Sequence, residues 1–461
     1  MGQAELEALT KEELIHLILT QAEQLAKLQA DYEALKLKFE KNRKPPTSSK
    51  NSSQPPSRDP KGNQPKDRRK RRHGPPVGHE KHERKFVAQA DQVVDVRPQR
   101  CHTCQADLSA EGGYLVKVNQ ITELPEATAQ VIEVRQYEVG CPSCQQAQVE
   151  APPAGLEMER AFGARLEATV VYYRQEQHMS YERTQKALLD LCGAEISQGG
   201  IDEIMKRAGK QAISKQAELE AALRQSRVIY CDETSSRVDG ANWWEWVFCT
   251  VHTVLHVIRF NRSVDVIQTV MEQHQAEVWV SDCLLAQLKA PARQRQICLA
   301  HQLRNLQAVV DAHPHLFWAQ AMQALFRAAI HLHHQRHPLS PQLFCRQVAR
   351  LERLCDWLLL RSLSPPAAQR LQRRYQKYRA HLFVFLYRTD VEPTNNVSER
   401  ALRPSVIHRK VTGGFRSEWG AKTYAALASV IDTAELSGIR AFEAIQSLFG
   451  LPALPIPVGG E

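Results

Sequence analysis

The chain has 461 residues, 43% of them hydrophobic, which is enough for two to four domains with a substantial buried core. The formal net charge is +9, but residues 41–85 alone hold 15 Lys or Arg against 4 Asp or Glu, so the basicity belongs to one segment. The polar N-terminus and the lack of any window near 18 consecutive apolar residues argue against a signal peptide and a transmembrane span.

Residues 1–42 are predicted to form one helix with a heptad seam. Apolar residues recur along it in steps of four and three, with a polar interruption at Gln21: Leu14, Ile18, Leu25, Leu28, Tyr32, Leu35 and Phe39. This pattern favours a coiled coil that joins protomers into a homo-oligomer. An amphipathic helix packed on its own chain is the alternative.

Residues 43–85 are rich in Pro, Ser, Asn, Lys and Arg, so we expect a disordered basic linker. Such a charge run suits a polyanion, of which nucleic acid is the commonest; a membrane surface is less favoured because no amphipathic helix adjoins the run. The cations expected to grip phosphates are Lys66, Arg68, Arg69, Lys70, Arg71 and Arg72. A solvated linker and a nuclear localisation signal are alternative interpretations of this charge run.

Residues 86–155 are predicted to form a β-rich zinc ribbon, with strands at 113–118 and 130–135. Two Cys-x-x-Cys pairs carry this prediction: Cys101 with Cys104, and Cys141 with Cys144. Each pair lets backbone amides turn under a metal ion, and two pairs complete a closed site for one structural Zn²⁺. The other seven of the eleven cysteines are scattered, which favours reduced thiols in a cytosolic chain over disulfides.

Residues 156–225 are expected to be a helical DNA-binding region. One helix should begin at Ser180 and end at Gly193, and Ser197 should cap a second that runs to about Arg207. Two short helices joined by a Gly turn resemble a helix-turn-helix. Two helices that simply pack together fit the pattern equally well.

Residues 226–301 are predicted to open a mixed α/β core. Two strand-like runs each close on an acid, at Asp232 and at Asp282, with two further strands and a helix between them. Three antiparallel strands, a helix and a returning strand open a ribonuclease-H-like fold, in which the first and fourth strands are neighbours. Adjacent carboxylates repel unless a cation lies between them, so the pair predicts a site for Mg²⁺. Glu233 and Glu245 are the nearest competing acids, and strand alternation points Glu233 away from Asp232.

The third carboxylate is expected from residues 389–449, the second part of the core. Thr394 or Asn395 should cap a helix there and place Glu399 about one turn inside it. Residues 302–388 exceed what a minimal core needs and are predicted to be a helical insertion, and residues 450–461 a tail. The cations after Glu399 should grip phosphates, or else form a solvated face: Arg400, Arg403, Arg409, Lys410 and Arg416.

Several of these motifs together resemble the insertion-sequence 66 family of bacterial transposases. Asn51-Ser-Ser-Gln-Pro-Pro-Ser57 resembles the family's linker motif, and Asp232-Glu-Thr234 and Ser281-Asp282 its first two catalytic motifs. The stretch from Thr394 to Pro404 resembles the third, and Arg409 to Ser417 fits as well. An aromatic-bearing form after the second Asp is frequent in relatives, whereas this chain has Asp282-Cys-Leu-Leu285.

The resemblance implies a DNA transposase whose Asp232, Asp282 and Glu399 hold two Mg²⁺ or Mn²⁺ ions for phosphodiester hydrolysis at element ends and strand transfer into target DNA. It also implies accessory proteins from the same element, no membrane partner, and a bacterial cytoplasmic, nucleoid-associated location. A catalytically idle DNA-binding protein and a nuclease that cleaves without joining are the alternatives. The Cys298-Leu-Ala-His301 step resembles a feature of cut-and-paste transposases, so His301 is either a proton donor or positioning group, or a helix cap beside a buried Cys298.

Overall fold

The computed structural model describes residues 85–110, 112–153, 156, 157 and 160–451, and at the N-terminal end residues 10, 20, 21, 23–25, 27–32 and 48. The cations of 66–72 that were expected to grip phosphates lie outside the described residues, as do most of the predicted linker and tail. The described positions from 20 to 32 are helical, and Leu25, Leu28 and Tyr32 of the predicted seam are exposed. Pairing of this helix with a second copy stays a prediction.

The region that was expected to be β-rich contains one short hairpin among its described residues. Strands β1 (Glu138–Gly140) and β2 (Ala147–Val149) pair antiparallel around the second cysteine pair. The strands expected at 113–118 and 130–135 are wrong: these stretches have no regular secondary structure. Val116 and Val131 there are 83% and 97% exposed, so neither a ladder partner nor a buried face supports a strand.

Within the described residues from 160 onward, three helices precede the main sheet: α1 (Ala164–Gln175), α2 (Tyr181–Cys192) and α3 (Gln198–Arg224). The predicted caps are confirmed, since Ser180 accepts from the Arg183 N–H, Ser197 accepts from the Gly200 N–H, and Gly193 ends α2 with a φ of 63°.

The prediction that α3 ends near Arg207 is wrong, because its apolar stripe continues and is buried as far as Leu223. This helix packs closely against the C-terminal part of the fold: a Cβ on Gly209 would lie 2.5 Å from Thr423 Oγ1. Because α3 is buried along one side against the rest of the fold, it is not a free recognition helix. The structure therefore favours the interpretation of α2 and α3 as two helices that pack together over a helix-turn-helix.

One five-stranded sheet forms the centre of the fold, in the order β5-β4-β3-β6-β7. The strands are β3 (Val228–Val238), β4 (Ala241–Cys249), β5 (Val254–Arg259), β6 (Ala276–Ser281) and β7 (Ala292–Ile297). The first three are antiparallel, while β6 pairs parallel with both β3 and β7. The prediction that the first and fourth strands are neighbours is therefore confirmed. Two short helices lie in the connections, α4 (Val264–Met271) and α5 (Leu285–Leu288).

The helices that follow β7 cover one face of this sheet. They are α6 (Leu299–Ala312), α7 (Phe317–His334), α8 (Pro341–Leu359), α9 (Pro366–Lys377), a 3₁₀ turn at Arg379–His381, and α10 (Val384–Tyr387). Leu299, Leu306 and Phe326 share one hydrophobic cluster with Tyr230 and Val280 of the sheet. The predicted helical insertion therefore shares its core with the sheet. No helix in the described part of the chain is long and apolar enough to cross a bilayer.

The chain ends with α11 (Asn396–Thr412), α12 (Glu418–Leu436) and α13 (Ala441–Ser447). Helix α12 covers the outer edge of β5, where backbone groups would otherwise be unpaired. The Thr433 and Ser429 hydroxyls accept from the Val254 and His256 N–H groups at 3.0 and 2.8 Å. Side chains of α12 thus accept the hydrogen bonds that a further strand would accept at the edge of β5.

A buried polar network ties α11 and α12 to the sheet. His256 is 1% exposed, and its Nδ1 and Nε2 lie 3.0 Å from Glu245 and 2.9 Å from Asp432. Ser405 of α11 donates to the same Glu245 oxygen at 2.6 Å and accepts from Tyr424 of α12 at 3.2 Å. Burial alone would lower the pKa of His256, but the two carboxylates outweigh it and raise that pKa to about 10. His256 is therefore a protonated bridge between two acids.

Substituting His256→Gln should destabilise the fold by about 3–5 kcal/mol at neutral pH, because the buried Glu245 and the half-buried Asp432 lose their shared cation. A raised folded pKa gives stability that is complete below pH 6.5 and is lost as the pH approaches 10. The gap in unfolding midpoint between wild type and variant should therefore narrow over that window. His252→Gln, in the exposed turn before β5, is the control. A gap that stays constant with pH would mean that His256 is neutral in the folded state.

Candidate active site

Asp232 and Asp282 come together through the parallel pairing of β3 and β6. Tyr230 is the register partner of Val280, and each aspartate lies two residues further along its own chain. Tyr230 and Val280 contribute to the cluster on the insertion side of the sheet. Because side chains alternate along a strand, Asp232 shares that face with Tyr230. The sequence-based expectation that the two aspartates lie side by side agrees with this register.

The segment before α11 is fastened to β3 and to the start of α6. The Glu392 N–H donates to Tyr230 Oη at 2.9 Å, and the Leu299 N–H donates to the Pro393 carbonyl at 2.9 Å. These bonds hold the chain against β3 near Asp232, just before the helix that carries Glu399 begins. The prediction that the first strand closes on Asp232 is wrong, because β3 continues to Val238 in its pairing with β4.

Asn395 is the main anchor of this segment. It is fully buried, its Nδ2 donates to the Cys231 carbonyl at 2.8 Å, and its N–H donates to Cys298 Sγ at 3.1 Å. Sequence reasoning expected its side chain to cap α11. The helix does start after Asn395, but the side chain bridges to β3 and makes no cap; its Oδ1 accepts from Ser398 Oγ at 2.9 Å. Glu399 lies in the first turn of α11, as expected.

The three carboxylates interact through space. Burial raises the pKa of Asp232 well above its usual range, and the charges of Glu233, Asp282 and Glu399 raise it further. Like charges in a poorly solvated site repel unless a cation is present. This corner of the sheet therefore carries a negative charge that favours cation binding.

Glu399 has two basic neighbours on α6. Arg304 Nη2 lies 2.8 Å from Glu399 Oε1, and His301 Nδ1 lies 3.6 Å from the same oxygen. His301 Nδ1 is buried and makes no hydrogen bond. Burial and Arg304 lower the pKa of His301, against the opposing influence of Glu399 and Asp282, so the ring is neutral and can accept a proton or bind a metal.

Cys298, His301 and Glu399 are the group of potential metal ligands that the described residues gather most closely, with donor atoms within 4.8 Å of one another. The trio of Asp232, Asp282 and Glu399 does not reach that spacing in the described chain. Burial raises the pKa of Cys298 to about 11, so this thiol is neutral and serves as an acceptor for the Asn395 N–H.

The two competing acids are engaged elsewhere. Glu233 Oε2 accepts from Gln287 at 2.9 Å and Glu233 Oε1 accepts from Arg262 Nε at 3.0 Å. Gln287 also contacts Cys231, which belongs to the hydrophobic cluster on the opposite face of the sheet from Tyr230. Glu233 thus points away from Asp232, as strand alternation predicted. Glu245 belongs to the His256 network.

Arg304 was missed by the sequence analysis. It lies in the helical insertion, 95 positions before Glu399, among many other arginines. One feature of the sequence could have identified Arg304. It follows His301 by three residues, so the two side chains share a face of the helix.

Most of the cations predicted to flank the site are exposed. Arg400, Arg403, Lys410 and Arg416 are exposed along α11 and the following turn, while Arg409 is half-buried and donates to Ser235 Oγ at 3.2 Å. A row of exposed cations beside acidic strand ends suits a phosphate backbone.

The two cysteine pairs adopt the same local geometry. The Cys101 N–H donates to the Ala106 carbonyl and the Cys141 N–H to the Gln146 carbonyl, both at 2.9 Å. Gln105 and Gln145 follow with matching φ values of 63° and 59°. Each pair is therefore a tight turn of the kind that seats a metal ion.

Backbone N–H groups lower the pKa of the first thiol in each cysteine pair, chiefly those of Cys104 for Cys101 and of Cys144 for Cys141. This favours the thiolate form that metals bind. The described structure does not bring the four sulfurs of the two pairs within 4.8 Å of one another.

Substituting Asn395→Asp should loosen the start of α11, because a carboxylate oxygen would face the Cys231 carbonyl in place of an N–H donor. We expect a loss of about 1–3 kcal/mol in unfolding free energy and faster amide hydrogen exchange across 392–400. The matched control is Asn396→Asp, which is exposed at the first helical position, where an acid is favourable. Equal effects of the two changes would show that Asn395 does not anchor the helix.

The family model described as Transposase IS66 family matches residues 159–423. The match covers more than half of the chain and includes the strands and the helix that carry Asp232, Asp282 and Glu399. A search of curated proteins finds no match. The chain therefore belongs to the IS66 family of transposases.

Proposed function

We propose that this transposase cuts DNA at the ends of an insertion element and joins those ends to target DNA, with Asp232, Asp282 and Glu399 holding two divalent cations. The observation that carries the proposal is the anchoring of α11 to β3 through Asn395, beside the parallel β3–β6 pair. Three acids that are far apart in sequence are thereby held in electrostatic contact. The strand order supports a ribonuclease-H-like core.

The donor set fits a divalent cation such as Mg²⁺ or Mn²⁺. Carboxylate oxygens are the ligands that these hard ions prefer. Burial raises the pKa of Asp232, and the charges of Glu233, Asp282 and Glu399 raise it further; a cation would offset both effects by stabilising the ionised carboxylate. When bound, two such ions would activate the attacking oxygen and stabilise the leaving one in an in-line displacement at phosphorus.

The chain's own side chains position the substrate and handle protons. His301 is neutral, its Nδ1 has no hydrogen bond, and it lies beside Glu399, so it can accept a proton released near that carboxylate. Arg304 neutralises Glu399 and also offers a guanidinium to a nearby phosphate. The exposed cations of α11 hold the flanking backbone.

Asp232→Asn, Asp282→Asn and Glu399→Gln should each lower DNA cleavage at the element end by about 1,000-fold or more, because removing a charged ligand disables the metal site. Binding of the same DNA should persist. The measurement is Mg²⁺-dependent nicking and strand transfer with DNA that carries one element end. The control is Asp239→Asn, an exposed turn residue whose φ of 47° suits Asn.

Cleavage that survives in one of the three variants would remove that residue from the site. Cleavage without strand transfer in the wild type would indicate a nuclease that does not join. Binding without cleavage in the wild type would indicate a transposase-derived DNA-binding protein.

We also propose that Cys101, Cys104, Cys141 and Cys144 hold one structural Zn²⁺. Two matching turns, each with a thiol whose pKa is lowered by backbone N–H groups, support this assignment. A four-sulfur site leaves no open position, so its role is to fix the local fold of residues 86–155.

The purified chain should contain one equivalent of zinc, which Cys104→Ser or Cys144→Ser should remove because a three-sulfur site binds far more weakly. Metal analysis by mass spectrometry measures this. Cys345→Ser, an exposed cysteine on α8, should leave the zinc content unchanged. A full equivalent of zinc in both Cys104→Ser and Cys144→Ser would exclude the four-cysteine site.

We also propose that the predicted coiled coil joins protomers into a homo-oligomer that pairs two element ends. The exposure of Leu25, Leu28 and Tyr32 on helical positions supports this proposal. Accessory proteins from the same element and a nucleoid location remain predictions.

A further inference from the structure

A second cationic surface lies on the insertion, separate from the cations of α11 and the linker. It is an open cleft of about 310 Å³ between α9 and the short helix α5. Its walls are formed by Cys283, Leu285, Leu288, Arg370, Arg373, Arg374, Lys377 and Tyr378. The four cations all come from α9, and none of the lining residues is acidic.

The four cations occupy one face of α9. Their positions follow the helical spacing i, i+3, i+4 and i+7, so they lie close together. None of them pairs with a carboxylate in the described part of the chain. By contrast, the next cation, Arg379, lies 2.6 Å from Asp356 and also pairs with Glu352. Like charges at this spacing repel one another, and a polyanion would relieve the repulsion.

The cleft opens beside the candidate active site. Cys283 lines it and directly follows Asp282 in the chain. Gln302 of α6 donates to Cys283 Sγ at 3.5 Å, and α6 also carries His301 and Arg304. An anion in this cleft would therefore continue the path of a phosphate backbone that passes the carboxylates.

We propose that this cleft of α9 binds the DNA backbone on one side of the scissile phosphate. The assignment rests on the proposed function, since it assumes that DNA lies at Asp232 and Asp282. The volume is at the lower end for ligand pockets, so a phosphate would enter while the rest of the duplex lies across the mouth. Lys377 Nζ lies over the ring of the half-buried Tyr378, 5.2 Å from its centre, and this contact positions the ammonium at the cleft.

The test is a triple variant, R370Q/R373Q/K377Q, which neutralises three exposed cations and leaves the half-buried Arg374 in place. Binding of fluorescently labelled duplex DNA that carries one element end is measured on the full chain, over a series of salt concentrations and without added divalent cation. The slope of log affinity against log salt should become shallower by about 2–3, since each lost phosphate contact removes about 0.9. Affinity at low salt should fall by about 10-fold or more.

The matched control is R346Q/R350Q/R353Q, which makes the same charge change on exposed positions of the neighbouring helix α8, away from the cleft. An unchanged slope in the α9 triple variant, or an equal change in the α8 triple variant, overturns the proposal. If the α9 triple variant unfolds, each single variant should lower the slope by about 0.9.

Two further outcomes separate the possible failures. Inorganic phosphate that binds wild type but not the α9 variant, with DNA binding unaffected, would assign the cleft to a small anion and overturn the proposal. Because the binding assay includes no chemical step, it stands apart from the carboxylate variants. Loss of DNA binding in the α9 variant, together with full cleavage by Asp232→Asn, would support DNA binding by the cleft and remove Asp232 from the proposed catalytic site.

Discussion

The parallel pairing of β3 with β6 is the constraint on which the candidate site depends. The pairing sets Tyr230 opposite Val280, and so brings Asp232 and Asp282 to the same edge of the sheet. A slip of one residue would turn Asp232 to the opposite face, where Cys231 and Glu233 now point. The apolar residues on both faces fix the register, because each face is buried under helices.

The third carboxylate depends on a helix that is held at two points. Asn395 fastens the start of α11 to the Cys231 carbonyl, and Ser405 fastens its middle to Glu245. Both contacts are buried, so breaking either one leaves an unsatisfied polar group away from water. The Asn395 contact fixes where α11 starts, and the Ser405 contact fixes the direction in which it runs. Together they determine the position of Glu399.

Local patterns in the sequence were sufficient for helix caps and for the end of β6. A Ser before an apolar periodic run is determined by nearby residues, and the structure bears out Ser180 and Ser197. The strand predicted to close on Asp232 instead continues to Val238, because it pairs with β4 along that length. The end of α3 was misjudged, because its length depends on packing against α12. The prediction of strands at 113–118 and 130–135 was wrong for a related reason. A segment with alternating apolar residues forms a β-strand only where a partner strand pairs with it.

The contacts that sequence reasoning missed are long-range. His256 and Asp432 are 176 positions apart, and Arg304 and Glu399 are 95 apart. No periodicity links such pairs, so only the folded chain shows that they meet. The role of Asn395 was hidden in another way: an Asn before a helix reads as a cap, whereas its side chain binds a neighbouring strand.

The charges around the site form an inner and an outer set. The inner set is the three carboxylates, of which Glu399 pairs with Arg304 of α6 at 2.8 Å. The outer set is the exposed cations of α9 and α11, which include Arg370, Arg373, Arg400 and Arg403. Small cations and a polyanion can therefore bind together, because the inner acids attract the ions while the outer cations attract the phosphates. If the outer cations folded inward onto the acids, each group would satisfy the other and neither ligand would be attracted. The anchoring of α11 to β3 through Asn395 brings Glu399 to the other acids, while Arg400 and Arg403 of the same helix stay exposed, and both binding sites are thus preserved.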